Sequence, residues 1–184
     1  DVTIFSFDEA NIVNGADGAC VCTNDDKIAA RIRNIRSSYG SGPKVSIPYT
    51  GNGRMSEIQA GLILLSLDEI DQNRKHNKMI YEKYNEVIKD VSGISLFPIS
   101  DNVSNPNYQN IIIQVDEHEF GINASKLKTL LLNRNIGSAD FSTFGISPYS
   151  PFDVIPKMPN TSIFRNNSLR LPNNQKLNTD VIDF

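Results

Sequence analysis

The hydrophobic pattern of the first forty residues combines two short β-type runs with one helical repeat. Val2–Phe7 and Gly18–Thr23 are apolar runs with β-branched residues, and a turn rich in Gly and Asn separates them. Such runs, divided by turn residues, predict two neighbouring strands of one sheet. After Asn24, which we expect to cap a helix, isoleucines recur at helical spacing over residues 28–35. The pattern therefore predicts a strand, turn, strand, helix unit.

A loop and then a long segment without proline follow. Residues 40–53 are rich in glycine and proline, which predicts an irregular loop. Ser56 and Gln59 have the spacing of a capping box, in which the serine side chain caps the backbone of Gln59 and the glutamine reaches back. Apolar residues then recur at helical spacing as far as Asp90. The segment is predicted to be one long or kinked helix.

The remainder of the chain has the pattern of a small α+β unit. The apolar run Ile94–Phe97 leads through a connector rich in Asn and Ser to a strand at Ile111–Val115. A second helix is predicted to begin near Asn123 and to stop before Gly137. A last short strand is expected around Leu169–Leu171.

Composition excludes two classes of function. With 39% hydrophobic and 21% charged residues in a chain of 184, the protein has the composition of a globular domain, and no run reaches the ~20 apolar residues of a membrane span. The net charge is -3 and the pI is near 5.4. Nucleic-acid binding needs a concentrated basic face. The only local cluster of basic residues, over 31–36, is explained instead by the negative C-terminal end of a helix dipole, which favours cations. Neither a membrane nor a nucleic acid is an expected partner.

The chain's few potential metal ligands do not form a pattern. Cys20 and Cys22 alternate within a strand, so their side chains are expected on one face. Two cysteines are too isolated for a zinc site or a disulfide framework, and we expect small buried hydrophobes in a reducing compartment. His76 and His118 are far apart and lack partners at metal-ligand spacing. No metal site is predicted.

Two segments carry a resemblance to a known family. Val2–Cys22 and Tyr49–Leu67, and several short matches through to Leu171-Pro172, resemble the DegT, DnrJ and StrS family of pyridoxal-phosphate (PLP) sugar aminotransferases. The resemblance implies an α/β fold, the C-terminal portion of a fold type I, aspartate-aminotransferase-like enzyme. It assigns 1–55 to the remnant of the large PLP-binding domain, 56–91 to a long connecting helix and 92–184 to the small C-terminal α+β domain.

The resemblance places an asparagine at the catalytic position. In the family, Phe-Ser-Phe is followed by a histidine and, three residues later, by the lysine that forms the Schiff base with PLP. Here Asp8 replaces the histidine, Asn11 replaces the lysine, and Asp17–Ala19 replaces an acidic glycine turn. An amide nitrogen is delocalised into its carbonyl, so Asn11 cannot attack an aldehyde or shuttle a proton as an amine does.

Two further positions match cofactor-binding residues of the family. Ser6 aligns with the serine that hydrogen-bonds the PLP phosphate, although a serine at a strand end also needs no such role. Asn52 matches the asparagine that reaches across a dimer to the phosphate in the neighbouring active site, and its flanking glycines permit close approach. The alternative for Asn52 is an ordinary turn before a helix.

Other features of the family's site are expected to be missing. Family members carry a basic and aromatic run after the second small-domain helix, whereas residues 138–144 here include Asp140. The aspartate that faces the pyridine nitrogen and the residue that stacks on the ring belong to the family's upstream half, which this sequence lacks. PLP is therefore the cofactor by resemblance only.

Three functions remain open from the sequence. One is a degenerate relative that keeps the fold, loses amino transfer and serves as a binding or scaffold partner. Another is a fragment or engineered version of an ordinary transferase, which acts from glutamate on a keto-sugar nucleotide, with the other half removed and Asn11 a natural or introduced change; a partner chain would then supply the missing half. A third is PLP chemistry without lysine, as in a family dehydratase that uses histidine there. We expect a cytoplasmic homo-oligomer or a complex with such a partner, and a nucleotide-sugar ligand.

Overall fold

The structure is a computed structural model that describes residues 1–37, 42–140 and 159–182. The chain divides into two compact units, Asp1–Asp71 and Gln72–Phe184. Both units combine helices with strands, which agrees with the α/β prediction, and all the strand pairs are antiparallel. The predicted domain limits at 55 and 91 stay a prediction.

The first unit opens with the predicted strand pair and helix. Strands β1 (Val2–Ser6) and β2 (Ala19–Thr23) pair antiparallel along their whole length. Helix α1 spans Asp26–Arg36. The prediction of Asn24 as its cap is wrong by one residue, because the Asp25 carboxylate accepts from the backbone N–H groups of Lys27 and Ile28 at 2.8 and 3.1 Å.

The predicted long or kinked helix is two successive helices. Helix α2 spans Glu57–Asp68, and its capping box is present as predicted, with Ser56 and Gln59 bonded reciprocally. Glu69 interrupts the run, and helix α3 then spans Ile70–Ile88. The interruption lies next to the division between the two compact units.

The second unit is built on a four-stranded antiparallel sheet with the order β3-β4-β6-β5. Its strands are β3 (Ile94–Leu96), β4 (Ile111–Val115), β5 (Ala139–Asp140) and β6 (Ser168–Leu171). Its further helices are α4 (Glu117–Phe120), α5 (Ala124–Leu132), α6 (Pro159–Asn167) and a 3-10 turn at Thr179–Ile182.

A cluster of buried hydrophobic residues forms the core of the second unit. Ile80 from α3 and Ile111 from β4 are fully buried, and Leu169 from β6 is 1% exposed. They pack in one cluster with the alternate residues of β4 that point inward. The alternating pattern of β4 is that of a strand with one covered face.

The first unit leaves much of its apolar surface exposed. On α2, Ile58 is 78% and Leu65 is 66% exposed, and on β1, Ile4 is 69% exposed. Cys20 and Cys22 are exposed as well, so the expectation that they are buried hydrophobes is wrong. The strand pair and the two helices of this unit therefore leave part of their apolar surface uncovered in the described chain.

Candidate cofactor-loop site

The candidate site is the loop between β1 and β2, which backbone hydrogen bonds close at its base. The N–H of Phe7 donates to the carbonyl of Gly18 at 2.8 Å, and the N–H of Gly15 donates back to the carbonyl of Phe7 at 2.9 Å. Residues 8–14 therefore project as a compact loop beyond the end of β1. Ser6, Asp8 and Asn11 all lie on this loop or at its entrance.

Asn11 folds back on the strand end that precedes it. Its side-chain Nδ2 donates to the carbonyl oxygen of Ser6 at 3.0 Å, and its backbone N–H donates to the carbonyl of Asp8 at 3.1 Å. The side chain is half-buried. The structure thus brings Asn11 and Ser6 together, and the amide serves as a hydrogen-bond donor that stabilises the loop.

A hydrogen bond within the loop joins the hydroxyl of Ser6 to the carboxylate of Asp8. Ser6 Oγ donates to Asp8 Oδ2 at 3.2 Å, while Asp8 Oδ1 accepts from the backbone N–H of Ala10 at 3.0 Å. Charge-assisted hydrogen bonds of this kind are stronger than those between neutral groups. The serine hydroxyl therefore already has an anionic acceptor from within the loop. The sequence identified Asp8 only as a replacement, not as a partner of Ser6.

The loop is anchored on helix α2 by contacts that the sequence analysis missed. Ser66 Oγ accepts from the N–H of Asn14 at 3.3 Å and donates to the carbonyl of Ile12 at 3.4 Å. Gly15 is buried against the same helix, where an added Cβ would lie 2.6 Å from Ile63 Cγ1 and 3.0 Å from the Gln59 carbonyl oxygen. Only glycine allows this approach. Nothing in the spacing of Ser66 distinguishes it from other polar positions.

Asn52 is positioned by a different element of the same unit. The N–H of Gly51 donates to the carbonyl of Ile35 at 2.7 Å, and the N–H of Gly53 donates to that of Arg36 at 2.9 Å. The loop thus runs along the last turn of α1 and presents Asn52 as an exposed residue. This presentation is compatible with the predicted reach to a second subunit.

Asp140, the departure expected in the second unit, is paired with a cation. Lys128 Nζ lies 2.8 Å from Asp140 Oδ2, and both side chains are partly exposed. The positive charge of Lys128 on α5 therefore partly compensates the negative charge of Asp140. The rest of the expected departure, residues 141–144, lies outside the described part of the chain.

Metal ligands and membrane segments give no alternative site. Across residues 1–37, 42–140 and 159–182, no three His, Cys, Asp or Glu side chains are grouped in a way that could hold a metal ion. His76 Nε2 lies 3.2 Å from the carbonyl of Asn174. Within the same ranges, no helix has the length and apolar character needed to cross a bilayer.

Comparison with known proteins gives the same family over almost the whole chain. The profile of the DegT/DnrJ/EryC1/StrS aminotransferase family matches residues 1–183. The dTDP-4-amino-4,6-dideoxy-D-glucose transaminase of Shigella dysenteriae is 23% identical over 189 residues, covering 100% of this chain and 50% of that protein. The spore coat polysaccharide biosynthesis protein SpsC of Bacillus subtilis is 26% identical over 201 residues, covering 100% of this chain and 51% of that protein.

Solved structures confirm the predicted fold. The crystal structure of DesI in the presence of its TDP-sugar product superimposes with a TM-score of 0.88 at 27% identity, covering 99% of this chain and 47% of that one. The chain thus spans about half the length of the relatives it matches. It belongs to the DegT/DnrJ/EryC1/StrS aminotransferase family, whose members are PLP-dependent, and corresponds as predicted to the C-terminal half of a sugar aminotransferase.

Proposed function

We propose that this chain is a catalytically incompetent member of the sugar aminotransferase family. The observation that carries the proposal is that Asn11, which the resemblance places at the position of the family's Schiff-base lysine, donates a hydrogen bond from its Nδ2 to the carbonyl oxygen of Ser6 at 3.0 Å. An amide has no lone pair free for attack on an aldehyde and no basic nitrogen for moving the substrate's α-proton. Amino transfer needs both steps.

The loop also does not fit the cofactor's phosphate. A PLP phosphate bound at Ser6 would have to take the serine hydroxyl from Asp8 Oδ2, which accepts from it at 3.2 Å. The phosphate would then lie beside a carboxylate, and like charges at this separation repel each other. We therefore assign no catalytic step to PLP on this chain.

The role that remains is binding. The second unit keeps an intact core around Ile80 and Ile111, while the first unit exposes apolar residues on α2 and β1. Exposed apolar faces of this kind favour association with another protein surface. We infer that these faces are covered by a second copy of the chain, or by an intact aminotransferase in the cytoplasm with which the chain makes a non-catalytic scaffold interaction. Because DesI was solved with its TDP-sugar product, a nucleotide sugar is the small ligand we infer for such a complex.

The lack of a covalent link to PLP is tested by trapping. The purified chain is incubated with PLP, reduced with borohydride and mapped by peptide mass spectrometry. We expect pyridoxyl groups only at low, scattered occupancy on surface lysines, and no absorbance band of a lysine-bound cofactor. An Asn11→Gln variant, which keeps the amide chemistry, should give the same map. A stoichiometric adduct on one residue of the unmodified chain would contradict the proposal.

The two alternatives make different predictions in the same assays. If the chain is a severed part of an ordinary transferase in which Asn11 is a changed residue, the Asn11→Lys chain will transfer amino groups only when the N-terminal half of a related enzyme is added. If PLP chemistry proceeds without lysine, a histidine or another basic group must stand near Ser6, but Asp8 and Asn11 offer none. Incompetence of the chain as it stands predicts no turnover by the unmodified chain, with or without the added half.

A further inference from the structure

A polar cavity of about 520 Å³ lies between helices and strands of the second unit. One wall is the start of α5, Asn123–Ser125, and another is the end of α6 with Arg165. Ser168, the first residue of β6, also lines the cavity, as do Glu117 and Asp140. None of these residues belongs to the cofactor loop.

The walls of the cavity are built on the core of a single compact unit. Every lining residue lies within Gln72–Phe184, and Ala124 and Leu169 belong both to the lining and to the buried core cluster. The cavity is at the end where β6 begins. The segment beyond the other end of β6 contacts α3 near its start, where Asn174 carbonyl oxygen lies 3.2 Å from His76 Nε2. The shape of the cavity therefore does not depend on the apolar faces that the first unit leaves uncovered.

Two buried donors at the cavity have no partner among the described residues. Ser168 is 1% exposed, and neither its Oγ nor the Nε of Arg165 forms a hydrogen bond with the described part of the chain. Buried polar groups without a partner are rare in folded proteins, because their desolvation is then not compensated. A ligand oxygen that accepts from these groups would compensate it.

The start of α5 adds backbone donors to the same wall. The side chain of Asn123 accepts from the N–H of Lys126 at 3.0 Å, and its carbonyl oxygen accepts from the N–H of Leu127 at 3.0 Å. The N–H groups of Ala124 and Ser125, the first two of this nine-residue helix, have no intrahelical partner. Such groups, at the positive end of a helix dipole, favour a negatively charged oxygen.

The carboxylates of the lining favour a positive charge on the ligand as well. Asp140 is compensated by Lys128, whose Nζ lies 2.8 Å from Asp140 Oδ2. Within the described ranges, Glu117 has no cation at ion-pair distance, and Arg165 does not pair with it although both line the cavity. Glu117 would repel a ligand that carries only negative charge. A ligand with both an anionic and a cationic group would compensate both sides.

We propose that this cavity binds a small zwitterion of the amino-acid type. The carboxylate of the ligand accepts from Arg165, from Ser168 and from the first N–H groups of α5. The ammonium group of the ligand lies toward Glu117. The site requires binding only, so it does not depend on whether the chain transfers amino groups.

The proposal is tested by titrating L-alanine into the isotope-labelled 184-residue chain at constant ionic strength. The NMR signals of the backbone amides of Ala124 and Ser125 report occupancy of the cavity. Propionate is L-alanine without the ammonium group, and ethylammonium is L-alanine without the carboxylate. We expect L-alanine to bind at least about tenfold more tightly than either, because each of the others loses one set of charged hydrogen bonds.

Two substitutions separate the two ends of the ligand. Arg165→Gln should weaken the binding of L-alanine by about tenfold. Glu117→Gln should lower the affinity for L-alanine to that for propionate, without lowering the affinity for propionate. Arg134→Gln removes the same charge as Arg165→Gln from an exposed residue outside the cavity, and it should change neither affinity.

Ser168→Ala distinguishes a binding role from a structural one. The substitution removes a buried hydroxyl that has no partner among the described residues, so stability in urea unfolding should not fall. The affinity for L-alanine should nevertheless fall by about threefold or more. Equal affinities for L-alanine and propionate, amide signals that do not shift in a saturable way, or binding that neither Arg165→Gln nor Ser168→Ala weakens would overturn the proposal.

Discussion

Replacing Asp8 by Asn should restore part of the loop's ability to accept a phosphate. Ser6 Oγ lies 3.2 Å from Asp8 Oδ2, and a phosphate oxygen that accepts from Ser6 would lie about 2.7 Å from the same Oγ. The phosphate and carboxylate oxygens would then be at most about 6 Å apart. For exposed groups in water, this separation costs about 0.7 kcal/mol per unit charge. A phosphate dianion therefore loses about 1.4 kcal/mol, which is about a tenfold loss of affinity.

The assay compares PLP with pyridoxal, which has the same aldehyde but no phosphate. Both ligands are titrated into chains that carry Asn11→Lys, with and without Asp8→Asn, and peptide mapping after reduction identifies the adduct at position 11. We expect Asp8→Asn to raise the affinity for PLP relative to pyridoxal by about tenfold at low salt, and by less at high salt because the charges are screened.

Asp17 provides the control for net charge. Its carboxylate lies in the same segment but accepts from the N–H of Gly18 at 2.7 Å. Asp17→Asn should therefore leave the ratio of the two affinities nearly unchanged. A ratio that does not respond to Asp8→Asn, or that responds equally to Asp17→Asn, would refute the electrostatic reasoning.

Three other predictions concern activity, association and stability. Asn11→Lys alone should not transfer amino groups from glutamate to keto-sugar nucleotides, and turnover by that variant by itself would contradict the missing-site argument. Sedimentation should show that the chain self-associates. Ile58→Glu should weaken this self-association, whereas Leu130→Glu, an equally drastic change in the other unit, should not. A chain that stays monomeric at high concentration would argue against the predicted association. Gly93→Ala should destabilise the chain by about 1–3 kcal/mol more than Gly121→Ala, as measured by urea unfolding. Both glycines have positive φ, +77 and +88. Of the two, only Gly93 has a backbone atom in the way of an added Cβ, whereas nothing lies within 4 Å of a Cβ at Gly121. Equal losses of unfolding free energy in the two variants would show that the backbone conformation alone matters.

Much of the fold was predictable because its signals are local. The capping box at Ser56 and the alternation along Ile111–Val115 depend on neighbours in the sequence, and the structure has both. The cap of α1 was misplaced because Asn24 and Asp25 are both good caps, and only the backbone decides between them. The four-residue helix at Glu117–Phe120 was not predicted, since so short an element has no periodicity.

The candidate site was predictable only where a family motif fixes the position. Asn11 was assigned to the lysine position from its distance to Ser6 in the sequence, which stays a prediction, whereas the bond between Asp8 and Ser6 depends on how the chain turns after the strand. Ser66 is distant in sequence from the loop it anchors, so no local pattern points to it. The exposure of Cys20 was misjudged because an apolar strand is usually covered, and here no element of the described chain covers it.

The uneven distribution of buried residues has a consequence for local unfolding. Backbone amides with many buried neighbours become accessible to solvent only when the whole domain unfolds. Among the described residues, the largest fully buried side chains, such as those of Ile80 and Leu169, all belong to the second unit. Amide hydrogens of β4 and β6 should therefore exchange slowly, whereas those of β1 and β2 should exchange through small, frequent openings. The loop that carries Asn11 thus belongs to the unit whose strands are expected to open without unfolding of the core around Ile80.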